Sequence, residues 1–167
     1  IQLYNFMSNN LNQLEKIVIM PKVRLADIVK VDDKVTLDKQ YLWNITNKHV
    51  DFVICDRLSF DTICVVELDD YTHENKEAKE KDLFIMQVLR AAGISTARIR
   101  IKISTIEKSD LQYVNELINT YLAPSCPSCG LKMIPRRSKD GHAFYACADN
   151  QNCRKTINIE PKGEELP

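Results

Sequence analysis

Four cysteines near the end of the chain constrain its folding more than any other feature. Cys126-Pro-Ser-Cys129-Gly is followed after 17 residues by Cys147, and after five more by Cys153. Two chelating pairs at that separation suit a single tetrahedral ion held by four thiolates. Gly130 directly follows the first pair and lets the chain turn so that backbone amides approach the sulfurs. A module of about 35 residues cannot bury enough apolar surface to fold alone, so the metal is expected to supply much of its stability. A structural Zn²⁺ with no open coordination position is the expectation, with Cys126, Cys129, Cys147 and Cys153 as ligands. Cys55 and Cys64 lie instead inside apolar runs, so the six cysteines do not read as a disulfide frame.

The other residues are enough for one ordinary domain. Across 167 residues the chain is 44% hydrophobic and 28% charged, which argues against disorder. The expected division is a domain over 1–123, the cysteine module over 124–160 and a tail over 161–167. No apolar run approaches the roughly 20 residues of a membrane helix, and no export signal stands at the N-terminus. A cytoplasmic protein is expected. The first residue is Ile1 rather than Met, which suggests a longer chain with an additional domain or a protein partner. Net neutrality hides a split: residues 1–123 carry 16 basic against 18 acidic side chains, whereas 124–157 carry six against two. A four-thiolate zinc centre would offset part of that local excess.

Periodicity orders the elements. Leu3, Phe6, Met7, Leu11 and Leu14 predict an amphipathic helix over 2–15. Lys16 to Leu25 reads as a strand, and Pro21 within it favours an edge. The polar stretch 30–40 is an excursion, with a short helix around Leu37 to Trp43. Two strong strand signals follow, His49–Asp56 and Thr62–Asp69, separated by Arg57 to Asp61. A helix then ends at Gly93. Ser95 to Ile103 alternates between an apolar face and a basic one made by Arg98, Arg100 and Lys102, and a last helix runs from Leu111 to Leu122.

The two central strands carry the chemistry. A hairpin closed by a five-residue loop pairs residues whose numbers sum to 118, which sets Asp51 opposite Glu67 and His49 opposite Asp69. Glu67 and Asp69 share a face, and Asp51 projects on the same side, about 5 Å away at Cβ. Three carboxylates inside runs as apolar as DFVIC and ICVVEL are costly unless compensated, and a divalent cation is the simplest compensation. The alternative is a wet edge hairpin whose acids face solvent. A slip of register by one would send the acids to opposite faces.

The blocks HVDFVICD and VVELDD-x-x-H, followed by a charged helix ending AAGI and an arginine-bearing strand, resemble an uncharacterised bacterial domain family. That family is placed in the PD-(D/E)XK nuclease superfamily, near the very-short-patch repair endonucleases. The resemblance covers about residues 1–122 and is specific from His49 to Arg100. It implies an α/β fold of restriction-endonuclease type, a mixed sheet flanked by helices. It also implies Mg²⁺ or Mn²⁺ ligation by Asp51 and Glu67, with the main-chain carbonyl of Leu68 as a third ligand. Asp69 stands where the superfamily carries a lysine that orients or activates the attacking water. His73 is the expected substitute, with Lys76, Lys79 and Lys81 as further candidates, so the catalytic set is Asp51, Glu67, Asp69 and His73. A glutamate that such proteins carry on the first helix has Gln2 near its place.

The segments CPSCG, MIPRR, GHAFYAC and NCRKT resemble the zinc ribbons at the C-terminus of bacterial type IA topoisomerases, over residues 126–157. Those ribbons bind single-stranded DNA through aromatic stacking and basic side chains. The likeness transfers that role to Arg136, Arg137, Phe144, Tyr145, Arg154 and Lys155. Zinc ribbons also bind proteins. The resulting expectation is a metal-dependent endodeoxyribonuclease acting on single-stranded or branched DNA. The competing expectation is an inactive nuclease-fold module that binds nucleic acid or a protein partner.

Overall fold

The structure, a computed structural model, describes residues 2–32, 36, 38–70, 76–101 and 108–159. The chain forms two compact units, Ile1–Ile118 and Asn119–Pro167.

In the first unit, β1 (Ile17–Arg24), β2 (His49–Asp56), β3 (Thr62–Asp70) and β4 (Thr96–Ile101) make one sheet in that order. The first three strands are mutually antiparallel, whereas β4 runs parallel to β3. The helices are α1 (Gln2–Asn10), α2 (Lys39–Asn47), α3 (Lys76–Ala91) and α4 (Gln112–Tyr121). A mixed sheet with helices is therefore present, and β1 is an edge strand as Pro21 suggests.

The β2–β3 hairpin carries the unit. Phe52, Val53, Ile54 and Cys55 are buried in succession, as are Ile63, Cys64, Val65 and Val66. Consecutive burial means that both faces of the sheet are covered, which accounts for apolar runs without alternation. Val53, Cys55 and Val65 pack with Ile85, Val88 and Leu89 of α3 and with Ile45 of α2. The register is the one the loop length dictates: Phe52 pairs with Val66, Val53 with Val65 and Ile54 with Cys64. It shifts by one at Cys55, which faces Thr62. The loop itself closes on Asp56, whose carboxylate accepts from the N–H of Leu58 at 2.8 Å and of Ser59 at 3.0 Å. These bonds, the one from Ser59 foremost, draw the Asp56 carboxyl below its ordinary range. Phe60 turns the chain with a φ of 60°.

Local capping moved two element ends. The first helix stops at Asn10, not near residue 15, because Asn10 Nδ2 donates to the Phe6 carbonyl and Gln13 adopts a left-handed φ of 55°. Asparagine competes in this way with the helical backbone. The second helix begins later than residue 37, because the Asp38 carboxylate caps it by accepting from Tyr41 N–H at 2.7 Å. The end of α3 follows its glycine. Gly93 has a φ of 71°, Ile94 N–H bonds the Leu89 carbonyl and Gly93 N–H that of Arg90. This double bond pattern is a Schellman motif, with Ile94 packed on the core beside Leu89.

The second unit holds a three-stranded antiparallel sheet, β5 (Met133–Arg137), β6 (Ala143–Cys147) and β7 (Thr156–Asn158), in that order. Among the described residues, no helix is long and apolar enough to cross a membrane. Leu89→Ala, at a fully buried position, lowers the unfolding free energy in urea by about 3 kcal/mol. Leu58→Ala, at the exposed hairpin tip, changes it by less than about 0.5 kcal/mol.

Candidate functional site

The antiparallel and parallel ladders together align one residue from each strand of the first unit. Lys22 lies between Pro21 and Val23, which pair with Phe52 and Val50, so it stands opposite Asp51. Phe52 and Val66 are the last pair of the β2–β3 ladder, and continuing its register by one residue places Asp51 beside Glu67. Glu67 in turn pairs with Arg98. The sheet is thus crossed by a row of four charges, Lys22, Asp51, Glu67 and Arg98, in the sign order plus, minus, minus, plus. Asp51 is odd-numbered like Val53, so the row opens on the face that α3 covers.

Side-chain contacts define how the row is held. Asp51 is the more buried partner of an ion pair with Lys22, with side chains 19% and 73% exposed. Its second oxygen accepts the backbone N–H of Leu68 at 3.0 Å. Glu67 is half-buried, and its Oε1 is shut off from solvent. At the far end Arg98 donates to Asp69 and, at 2.9 Å, to Asp82 of α3. Burial opposes the charge on Arg98, but the hydrogen bond and attraction of Asp69, joined by those of Asp82, outweigh it and raise its pKa. A small pocket beside this end is lined by Glu67, Leu68, Asp69, Asp82, Met86 and Arg98.

Several expectations change here. Asp51 and Glu67 are neighbours in register and Asp69 is paired with Arg98, and among the described residues the three carboxylates do not form one metal-ready group. Compensation comes from Lys22 and Arg98, two cations in the flanking strands, rather than from a divalent ion alone. Leu68 meets Asp51 through its N–H. Arg98 is committed to two carboxylates, Asp69 and Asp82. His49 is exposed at the start of β2, opposite Arg24 of β1. His73 and Lys102 lie outside the described residues, as do the side chains of Gln2, Lys76, Lys79, Lys81 and Arg100. The functional residues that sequence reading missed are Lys22 and Asp82. Each reaches the row only through a strand or helix packed from elsewhere, and no local spacing marks it. The oxygen donors of Asp51 and Glu67 are of the hard type that Mg²⁺ or Mn²⁺ takes.

The cysteine site is built by two turns of the second unit. At the first, Gly130 with a φ of 76° returns its N–H to the Cys126 carbonyl at 2.8 Å. At the second, Cys153 N–H reaches the Asp149 carbonyl at 2.8 Å. The sulfurs of Cys126 and Cys153 lie 3.6 Å apart and those of Cys129 and Cys147 3.4 Å apart. All four lie within 4.8 Å of one another. A tetrahedral ion with bonds of about 2.3 Å to sulfur needs sulfurs about 3.8 Å apart, so these four could hold a metal such as zinc. Among the described residues this is the one group of three or more His, Cys, Asp or Glu side chains so arranged. The backbone N–H of Ser128, opposed by burial and helped by that of Cys129, lowers the Cys126 thiol to about 6. Burial, followed by the hydrogen bond with Cys129, pushes the Cys147 thiol up to about 12.

Around this centre the six residues expected to touch nucleic acid part company. Arg136 pairs across the strands with Phe144, so a cation and an aromatic share one face. Arg154 and Lys155 are exposed. Tyr145 instead packs against the cluster of Cys126, Met133 and Cys147, a role in the core of the ribbon. Arg137 closes its own hairpin by donating to the Gly141 carbonyl at 3.2 Å. Cys55 and Cys64 are buried, and burial, with the neighbouring Cys55, pushes the Cys64 thiol up to about 12.

The fold and site define an α/β protein with a four-cysteine, metal-competent ribbon. Residues 1–117 match the family model described as "Protein of unknown function (DUF2726)", and the chain belongs to that family. Comparison with curated proteins and with solved structures found no match.

The cysteine geometry predicts one tightly bound metal ion per chain by inductively coupled plasma mass spectrometry, lost in Cys147→Ser. Its affinity falls as pH falls, because protons compete for the thiols.

Proposed function

We propose that the first unit is a metal-dependent nuclease that hydrolyses phosphodiester bonds in DNA, and that the ribbon, stapled by a structural Zn²⁺, assists nucleic-acid binding. The observation that carries this reading is the charged row, in which adjacent carboxylates on β2 and β3 stand between two cations. A polyanion meets such a row favourably only if the carboxylates hold a cation, and the exposed Lys22 adds to that attraction. Asp51 and Glu67 would hold Mg²⁺ or Mn²⁺. Bound there, the ion would supply charge neutralisation and a water of lowered pKa.

The chain's own groups then have defined work. The water oxygen bonds to phosphorus, the bond from phosphorus to one sugar oxygen breaks, and that oxygen leaves with a proton taken from solvent. His73, four residues beyond Asp69, is assigned the proton that the water gives up. Asp69 holds Arg98 in place and so positions the far end of the row. On the ribbon, the shared face of Arg136 and Phe144 suits a base stacked above a phosphate, as single-stranded DNA presents them. Type IA topoisomerase-like ribbons and PD-(D/E)XK-type sheets remain the resemblances that suggest these roles.

A second reading is favoured by the ion pairs themselves. Asp51 and Asp69 are already compensated by Lys22 and Arg98, and an acid stands where the superfamily carries its lysine. On that reading the unit keeps the fold and binds nucleic acid or a protein partner without cleaving. Cleavage of single-stranded, duplex and branched DNA in Mg²⁺ or Mn²⁺, with gel-shift binding alongside, separates the two. Asp51→Ala and Glu67→Ala are each expected to slow cleavage by about 100-fold while leaving binding in place. Binding without cleavage by the parent chain selects the second reading.

A further inference from the structure

We propose that Lys22 is the residue of the row that contacts the scissile phosphate, an inference that rests on the nuclease reading above. The two cations of the row are not equivalent. Arg98 donates to both Asp69 and Asp82, so moving it would strand two carboxylates. Lys22 pairs with Asp51 alone among the described residues, and its side chain is 73% exposed. It also stands on β1, the sheet edge, where an extended polymer can approach. The Lys22 end of the pair is exposed, and when its ammonium, on a flexible four-carbon stem, moves to a nearby phosphate oxygen, Asp51 keeps the Leu68 N–H and, on the nuclease reading, the cation.

The backbone adds an independent observation. Lys22 has a φ of 53°, a left-handed conformation in the middle of a strand. Pro21 and Val23 on either side keep their partners in β2, so the ladder is disturbed at the one position that faces Asp51. A side chain other than glycine is strained there, and an extended residue would serve the strand better. Strain confined to the lysine that faces the acid marks a position selected for where its side chain goes, not for stability. During hydrolysis Lys22 keeps its proton. It donates to a non-bridging phosphate oxygen and stabilises the charge that gathers as the water oxygen bonds to phosphorus and the bond to the leaving sugar oxygen breaks.

The test uses the full chain and a fluorescein-labelled single-stranded oligonucleotide with phosphorothioate linkages, followed by anisotropy in Mg²⁺ over a salt series. Lys22→Ala is expected to lower the slope of log affinity against log salt by about 0.7, the value of one phosphate contact on a single strand. Lys22→Arg keeps the slope, as does Lys30→Ala, which removes an exposed lysine outside the row. With a cleavable oligonucleotide, Lys22→Ala lowers kcat by about 100-fold while KM stays within about threefold. Lys22→Gly relieves the backbone, so its thermal midpoint equals or exceeds that of the parent even as the contact is lost. Parent-like slope and kcat in Lys22→Ala would overturn the proposal. So would a lowered midpoint in Lys22→Gly, which would make the residue structural. A parent that binds but does not cleave removes the nuclease reading, and the salt slope then decides the phosphate contact by itself.

Discussion

The pairing of β2 with β3 is the constraint on which the first unit depends. Both strands are buried on both faces, so a slip of register would force each close-packed face to accept the other face's side chains. That rigidity is also what traps two carboxylates in neighbouring positions. Asp51 and Glu67 cannot drift apart to relieve their repulsion, because Phe52, Val53, Val65 and Val66 beside them are locked in the core. The acids must be met where they stand. Lys22 and the Leu68 N–H meet Asp51, and Arg98 stands opposite Glu67 on β4 while bonding Asp69 and Asp82.

The same logic explains why the face under α3 is polar at one end only. Between the Val53–Val65 pair and α3 the packing is aliphatic, with Ile85 and Leu89 seated on the sheet. One row further along, Asp82 replaces aliphatic contact with a bond to Arg98. An isolated exposed ion pair contributes less than about 1 kcal/mol, so this network is poor evidence of stabilisation. Its effect is directional: it holds Arg98 and Asp69 to one another and leaves the Lys22 end of the row to move. The ribbon follows a different principle. Its apolar cluster is small, and the four sulfurs converge among Met133, Tyr145 and Ile157, so a bound ion would organise much of what the cluster cannot.

Much of this was legible in the chain, and the parts that were not share a cause. Strand identity, the edge position of β1, the glycine stop of α3 and the hairpin register all follow from local pattern or loop length. The cysteine site follows from spacing, because each pair is closed by its own short turn. By contrast, the helix ends at Asn10 and Asp38 turned on single side-chain caps that periodicity does not weigh. Tyr145, expected to stack on bases, is partly buried against Cys126, Met133 and Cys147, a contact that strand pattern alone does not reveal. Asp69 was expected to join Asp51 and Glu67 in one cluster because it shares a face with Glu67. Sharing a face fixes which side a carboxylate is on, not which partner it chooses.

By itself the amino-acid order determined which strands are buried, that Asp51 and Glu67 come to lie side by side, and that four thiols gather around one point. These depend on contacts across short loops, where chain connectivity leaves few alternatives. Only the tertiary structure decided which charges answer those acids. Lys22 is separated from Asp51 by a long excursion and an intervening helix, and Arg98 from Glu67 by a whole helical crossover. Over such distances the register is set by how apolar faces pack, not by loop length, so the countercharges appear only once the sheet is assembled.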